Sequence, residues 1–195
     1  IQYGLSHEFL ETSLNNPYLS SGIPYGLSGG SATTVYPESD FSNSSIISGG
    51  SLIEVPYQPS VTITDLKQKD GSIGKVSIDR VSLSCKVYEG ATDSSMSKGA
   101  GHYTSSGIYT GNIGLFGHNR GSHAYFAKLK NVKIGDIVEY KTAIGTKTYQ
   151  VTFVGSISCT DYSYLNEMGD NRITLITCIA NQPSLRLCVQ AVEIR

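Results

Sequence analysis

No run of about 18 apolar residues occurs in this 195-residue chain, so no helical segment in it is long enough to cross a bilayer. No two of its four cysteines (Cys85, Cys159, Cys178 and Cys188) stand in a CxxC spacing. That argues against a zinc site and against a thioredoxin-type redox pair. Four cysteines are also too few for a disulfide framework at this length, and the plainer account of Cys85, Cys159 and Cys188 is that of small buried hydrophobes. Not one lysine or arginine precedes Lys67. With a formal net charge of −1, the whole chain suggests neither a nucleic-acid binder nor a strongly cationic membrane protein. There is no internal repeat.

What is present points to β structure. Twenty-one glycines and six prolines, with abundant Ser and Thr, fit short strands joined by many turns. The charge changes character along the chain. Residues 1–66 carry six acidic side chains and no basic one, whereas all fifteen basic residues, against ten acidic ones, follow from Lys67. Together with the Ser/Gly-dense stretches at 21–34 and 42–51, this shift marks a boundary near 60–72. The expected organisation is an acidic arm or linker over 1–70 and a β domain over 71–195. In the arm, Ser6 is placed to cap a short helix carrying Phe9, Leu10 and Leu14. Its five tyrosines exceed what a plain Gly/Ser spacer needs, which raises the alternative of an arm packed over a cleft. The chain begins at Ile1 rather than methionine, so we expect a mature or trimmed form whose membrane anchor lies outside these residues.

Beyond Gly71, residues 73–78 and 81–88 read as strands, 90–101 as a loop or helical turn, and 102–112 as a long loop. A short strand over 113–117 leads to His118. Residues 124–130 fit one or two helical turns with Phe126 and Leu129 inward. Residues 137–143 and 147–154 read as a hairpin with Gly145 in its turn, Tyr149, Val151 and Phe153 lying on one face of the second strand. Residues 158–171 leave room for only a short turn or helix. The last strands are 173–178 and 185–194. Seven or eight short strands predict a closed or nearly closed all-β barrel.

Cys178 ends the apolar run ITLITC, and Arg186 lies eight residues on. A hairpin around 179–185 sets the two almost opposite each other, where cross-strand Cβ atoms are about 4.5–5.5 Å apart. A guanidinium there favours a thiolate and can donate to an oxyanion on a bound carbonyl. Arginine suits this better than lysine because it stays charged and carries a fork of donors. His118, after a strand end and before Asn119, supplies an acid/base able to work near neutrality. Taken singly, each has a plainer account: a core thiol, a rim arginine, a surface histidine. His7, His102 and His123 keep that plainer account.

Together these residues resemble the sortase family, the cysteine transpeptidases of Gram-positive bacterial surfaces. Thr174-Leu175-Ile176-Thr177-Cys178 matches the family's TLxTC motif, Gly117-His118-Asn119 its histidine motif, and Arg186 its arginine. Further likeness runs through GKVSIDRVSLSCKVYEG, KGAGHYTSSG and LKNVKIGDIVEYKT, so the resemblance covers about 71–195. It implies an eight-stranded sortase-type β-barrel with short helical turns, and Cys178, His118 and Arg186 as catalytic residues. It also implies cleavage of an LPXTG-like sorting signal between Thr and Gly through a thioester, and transfer to a cell-wall amine. Thr177 and Asn119 become substrate-side candidates by position. No metal or cofactor is expected, since Asp161, Glu167 and Asp170 are too scattered for a calcium cluster. The implied partners are surface proteins bearing a C-terminal sorting signal and a peptidoglycan-precursor amine, at the extracellular face of a Gram-positive membrane.

No Asp-Pro-aromatic tripeptide of the lid seen in pilin-polymerising members occurs. With the short 158–171 connection, the sequence favours an anchoring enzyme of the class A or D kind. A pilin-polymerising sortase and a cysteine hydrolase using water are the alternatives, with a non-catalytic surface β domain as the third class. Asn16-Pro17-Tyr18-Leu19-Ser20 has the proline-second pattern of a sorting signal, a weak match to a pseudosubstrate.

Overall fold

The structure, a computed structural model, describes residues 60–194. Its strands are β1 (Ser72–Ile78), β2 (Leu83–Glu89), β3 (Ala100–His102), β4 (Asn112–Phe116), β5 (Ile137–Thr142), β6 (Gly145–Ser158), β7 (Arg172–Ile179) and β8 (Gln182–Glu193). They close into a barrel in the order β1-β2-β3-β4-β7-β8-β6-β5. The eight-stranded all-β barrel expected from the sequence is therefore the fold. Two neighbouring pairs run parallel, β2 with β3 and β4 with β7, and the remaining pairs are antiparallel.

Alternation along the strands separates two apolar layers. Val76, Ile113, Leu115, Tyr149, Ile173, Leu175 and Val189 belong to the main core. Residues of opposite parity, Phe116 on β4, Ile176 on β7 and Cys188 on β8, form a second cluster with Met96, Ile157 and Leu165. Ile176 pairs with Phe116 on one side and Cys188 on the other, so this second cluster is a continuous apolar floor across three strands.

Two single helical turns precede strands. In α1 (Ile63–Leu66) the Asp65 carboxylate accepts from the Thr62 backbone N–H at 2.8 Å and its hydroxyl at 2.7 Å, a reciprocal cap that fixes the turn. Leu66 is fully buried in the core, although it precedes the expected start of the β domain. In α2 (Asp93–Met96), capped by Thr92, Met96 joins the second cluster.

Three local features differ from the sequence reading. The three-residue β3 lies within a stretch read as loop; its pattern, Ala-Gly-His, is too short to show a period. The hairpin turn is Ala143-Ile144, with Gly145 already paired to Thr142, and β6 runs on to Ser158. The register of β6 against β8 shifts between Val151 and Phe153, a bulge that reverses the alternation. Phe153 consequently packs on the second cluster and Val154 on the core, so Phe153 does not share the face of Tyr149 and Val151. Phe126 and Leu129 are fully buried as expected, in turns that lead into a 3-10 turn over Leu129–Asn131. The Ser6-capped helix, the packed-arm alternative and the Asn16–Ser20 match lie outside the described residues.

Candidate active site

Cys178 is the penultimate residue of β7 and pairs directly with Arg186 on β8. Its parity is that of Thr174 and Ile176, so the thiol sits at the end of the outward apolar floor, half-buried against it. The pairing register shifts immediately after Cys178, where the chain turns through Asn181, a residue at φ 62°. Arg186 Nη1 donates to the carbonyls of Pro183 at 2.7 Å and Leu185 at 2.9 Å, which anchors the guanidinium to its own strand. Its Nε is buried and has no hydrogen-bond partner among the described residues.

His118 reaches the same row from the other side. β4 and β7 are parallel with Asn112 level with Arg172 and Phe116 level with Ile176, so continuation by two residues brings position 118 level with 178. The tie continues past the end of β4. The Gly117 N–H donates to the Ile176 carbonyl at 3.2 Å, the Thr177 hydroxyl donates to the Gly117 carbonyl at 2.6 Å, and the Asn119 side-chain amide donates to the Cys178 carbonyl. Behind this segment the Phe126 N–H donates to the His118 carbonyl at 2.9 Å. The Phe126 ring leaves no room for a side chain at residue 117, where an added Cβ would stand 2.7 Å from Cγ. Cys178 thus occupies the middle strand of three, with Arg186 on one neighbour and His118 at the end of the other. Among the described residues no hydrogen bond joins the His118 ring to Cys178; apo sites commonly tighten such contacts only on binding substrate.

Of the substrate-side candidates, Thr177 is buried, and both Thr177 and Asn119 direct their polar groups at backbone carbonyls of this site. A small pocket beside the thiol is lined by Arg120, Cys178, Ile179, Asn181, Gln182, Pro183 and Arg186. Burial pushes the Cys178 thiol up from its ordinary value, and the charges of Arg186 and Arg120 pull against that shift without overcoming it. Arg120 is the residue that the sequence reading passed over; its position two residues after His118 was the available signal.

Among the described residues, His102, His123, Cys85 and Cys188 are accounted for elsewhere. His102 is fully buried, with Nδ1 2.8 Å from Glu89 Oε2 and Nε2 2.9 Å from the Gly107 carbonyl. His123 stacks on Tyr125. Burial pushes Cys85 and Cys188 up to about 12, leaving them inert thiols. Asp161 accepts from Ser163, Glu167 from the Asn112 N–H, and Asp170 pairs with Arg172, so each of the scattered carboxylates has a local structural partner.

The Sortase domain family matches residues 76–194, more than half of the chain. Sortase A of Listeria monocytogenes is 28% identical over 170 residues, covering 84% of this chain and 76% of that protein. Sortase A of Bacillus anthracis is 29% identical over 132 residues, covering 67% and 62% respectively. Among solved structures, a lid mutant of Streptococcus agalactiae Sortase C1 superposes with a TM-score of 0.62 at 26% identity, over 67% of this chain and 72% of that one. Sortase C-1 from Actinomyces oris shares the fold, with a TM-score of 0.61. A closed eight-stranded barrel, the TLxTC strand and the match over 76–194 make this chain a member of the sortase family of transpeptidases.

Proposed function

We propose that this sortase cleaves an LPXTG-like sorting signal between Thr and Gly, with Cys178 as nucleophile, His118 as acid/base and Arg186 as oxyanion and substrate donor. The observation that carries the assignment is the row formed by His118, Cys178 and Arg186 on three consecutive strands. The Cys178 sulfur attacks the threonine carbonyl carbon, and the carbonyl oxygen takes up negative charge. Arg186, cross-strand partner of Cys178 and anchored through Nη1 to the Pro183 and Leu185 carbonyls, offers that oxygen its positive charge and a further guanidinium N–H. The C–N bond then breaks, His118 gives its proton to the departing glycine amine, and a thioester remains on Cys178. An incoming amine attacks the thioester, His118 takes the amine proton, and the C–S bond breaks to release the new amide. In this reading Thr177 and Asn119 act as positioning residues, since both tie the histidine segment to the thiol strand. The 71–195 region is the catalytic unit and 1–70 an arm, and the substrates are surface proteins joined to a cell-wall amine at the outer face of a Gram-positive membrane.

The test is incubation of an LPXTG-type peptide with and without triglycine or hydroxylamine, with Cys178→Ala as control. An amide or hydroxamate product supports transfer. Free acid alone, unaffected by the amine, favours the hydrolase, and substantial activity in Cys178→Ala removes that residue from the mechanism. The likeness to Sortase C1 keeps a pilin-polymerising reading as the second choice. A lysine side-chain amine as the preferred acceptor would select it. Because Leu66 is buried in the core, a truncation testing the arm should begin at residue 60.

A further inference from the structure

The described residues contain four arginines. Two are neutralised by carboxylates, Arg80 by Asp136 and Arg172 by Asp170. The other two, Arg120 and Arg186, line the pocket beside Cys178, and neither has a carboxylate partner among the described residues. No acidic residue lines that pocket; Asn181 and Gln182 add side-chain amides to it. Both positive charges act on the Cys178 sulfur, so they share the space into which a substrate must come. Arg186 is anchored to the Pro183 and Leu185 carbonyls, whereas the exposed Arg120 side chain has no hydrogen-bond partner among the described residues. Two uncompensated guanidinium groups at one small pocket favour an anion, and the planar fork of arginine matches a carboxylate.

We propose that Arg120 and Arg186 form a two-cation carboxylate subsite beside Cys178, in which Arg120 sets specificity by pairing with a carboxylate of the sorting peptide or of the acceptor amine. The proposal rests on Cys178 being the nucleophile of the proposed function, so its test needs a readout that does not require peptide transfer.

Alkylation of Cys178 by iodoacetate and by iodoacetamide supplies one. In both, the thiolate sulfur bonds to the CH2 carbon and iodide leaves, but only iodoacetate carries a carboxylate. The thiolate fraction enters both rates equally, so their ratio at Cys178, followed by peptide mapping, reports the subsite alone. Arg120→Gln should lower the iodoacetate-to-iodoacetamide ratio roughly threefold to tenfold, with Arg120→Lys retaining part of it. Added salt should narrow the difference. A ratio unchanged in a folded Arg120→Gln protein, checked by its thermal melt, overturns the proposal. Two further arms identify the source. A preference for LPETG over LPQTG that Arg120→Gln abolishes places the carboxylate on the sorting peptide. A preference for triglycine over triglycinamide that it abolishes places the carboxylate on the acceptor. A change in the alkylation ratio with no response in either arm overturns the assignment to substrate recognition. A wild-type enzyme that transfers no sorting peptide counts against the proposed function instead, and leaves the alkylation ratio readable.

Discussion

Cys178 and Arg186 are cross-strand partners, residue opposite residue, at the turn end of the β7–β8 hairpin. The guanidinium is held there by two carbonyls of its own strand, so it lies beside the thiol before any substrate arrives. A preplaced donor of this kind does not have to be organised at the moment of reaction, which is where such groups gain most of their effect.

Replacing Arg186 with Ala is therefore expected to lower kcat for peptide cleavage about 10²- to 10³-fold, roughly 2.7–4 kcal/mol of transition-state stabilisation. Arg186→Lys should recover only part of this, because lysine keeps the charge but lacks the planar guanidinium whose Nη1 is anchored to the Pro183 and Leu185 carbonyls. Steady-state cleavage of a sorting-signal peptide, followed by chromatography, decides the matter. An Arg186→Ala enzyme with wild-type kcat would leave the pair without a catalytic role.

The pH dependence follows from the direction of the thiol shift. Burial raises the Cys178 thiol, so below its titration most molecules carry a neutral sulfur, and the reactive thiolate is a minor form. We expect a bell-shaped profile of kcat/KM whose alkaline limb lies above the ordinary thiol range of about 8.5. Removing either opposing charge, Arg186 or Arg120, disfavours the thiolate further and should move that limb upward. A profile with no alkaline fall, or one that falls below about pH 8.5, would contradict the scheme.

Thr177 and Gly117 offer a test of positioning. Thr177→Val removes the hydroxyl that bonds the Gly117 carbonyl and leaves that carbonyl unpaired in the interior, a loss of roughly 1–3 kcal/mol. Gly117→Ala drives a Cβ into the Phe126 ring, with an overpacking cost of about 1–3 kcal/mol. Both should lower the urea midpoint and also kcat, since both displace the segment that carries His118. Adding Phe126→Leu to Gly117→Ala should restore part of the stability. If the double mutant is only additively worse, the steric account is wrong.

Alkaline stability should depend on Cys85 and Cys188. Their thiols are pushed up to about 12 in the folded chain by burial, while in the unfolded chain each titrates near its ordinary value. The stabilisation is complete below the unfolded value and is lost as pH rises from there towards 12, because the unfolded state binds fewer protons over that window. At about pH 10.5 the loss is roughly 2–3 kcal/mol per thiol. Urea midpoints between pH 8 and 10.5 should fall, and fall less steeply in a Cys85→Ala/Cys188→Ala double variant. Equal slopes in the two proteins would rule this cause out.

Much of the fold and the site was legible in the sequence because it depended on local pattern. The β-branched run over 173–178 and the alternation from Tyr149 fixed strand identity, and the eight-residue gap from Cys178 to Arg186 fixed a pairing across one short turn. What the sequence did not show was decided by contacts between distant segments. β3 exists only because β2 and β4 flank it; three residues carry no period of their own. The bulge that turns Phe153 outward is set by the pairing of β6 with β8 and reverses a pattern that reads as continuous. The meeting of His118 with Cys178 depends on the parallel pairing of β4 with β7, some 60 residues apart in the chain, which local periodicity cannot specify. Arg120 is an ordinary loop residue until the barrel closes and its charge arrives at the thiol. The sequence by itself determined that there is a cysteine at a strand tip with an arginine opposite, because both depend on neighbours along the chain. Only the tertiary structure decided how the His118 loop comes level with the thiol strand and that a second cation, Arg120, lines the pocket beside it, because those depend on which strands lie side by side.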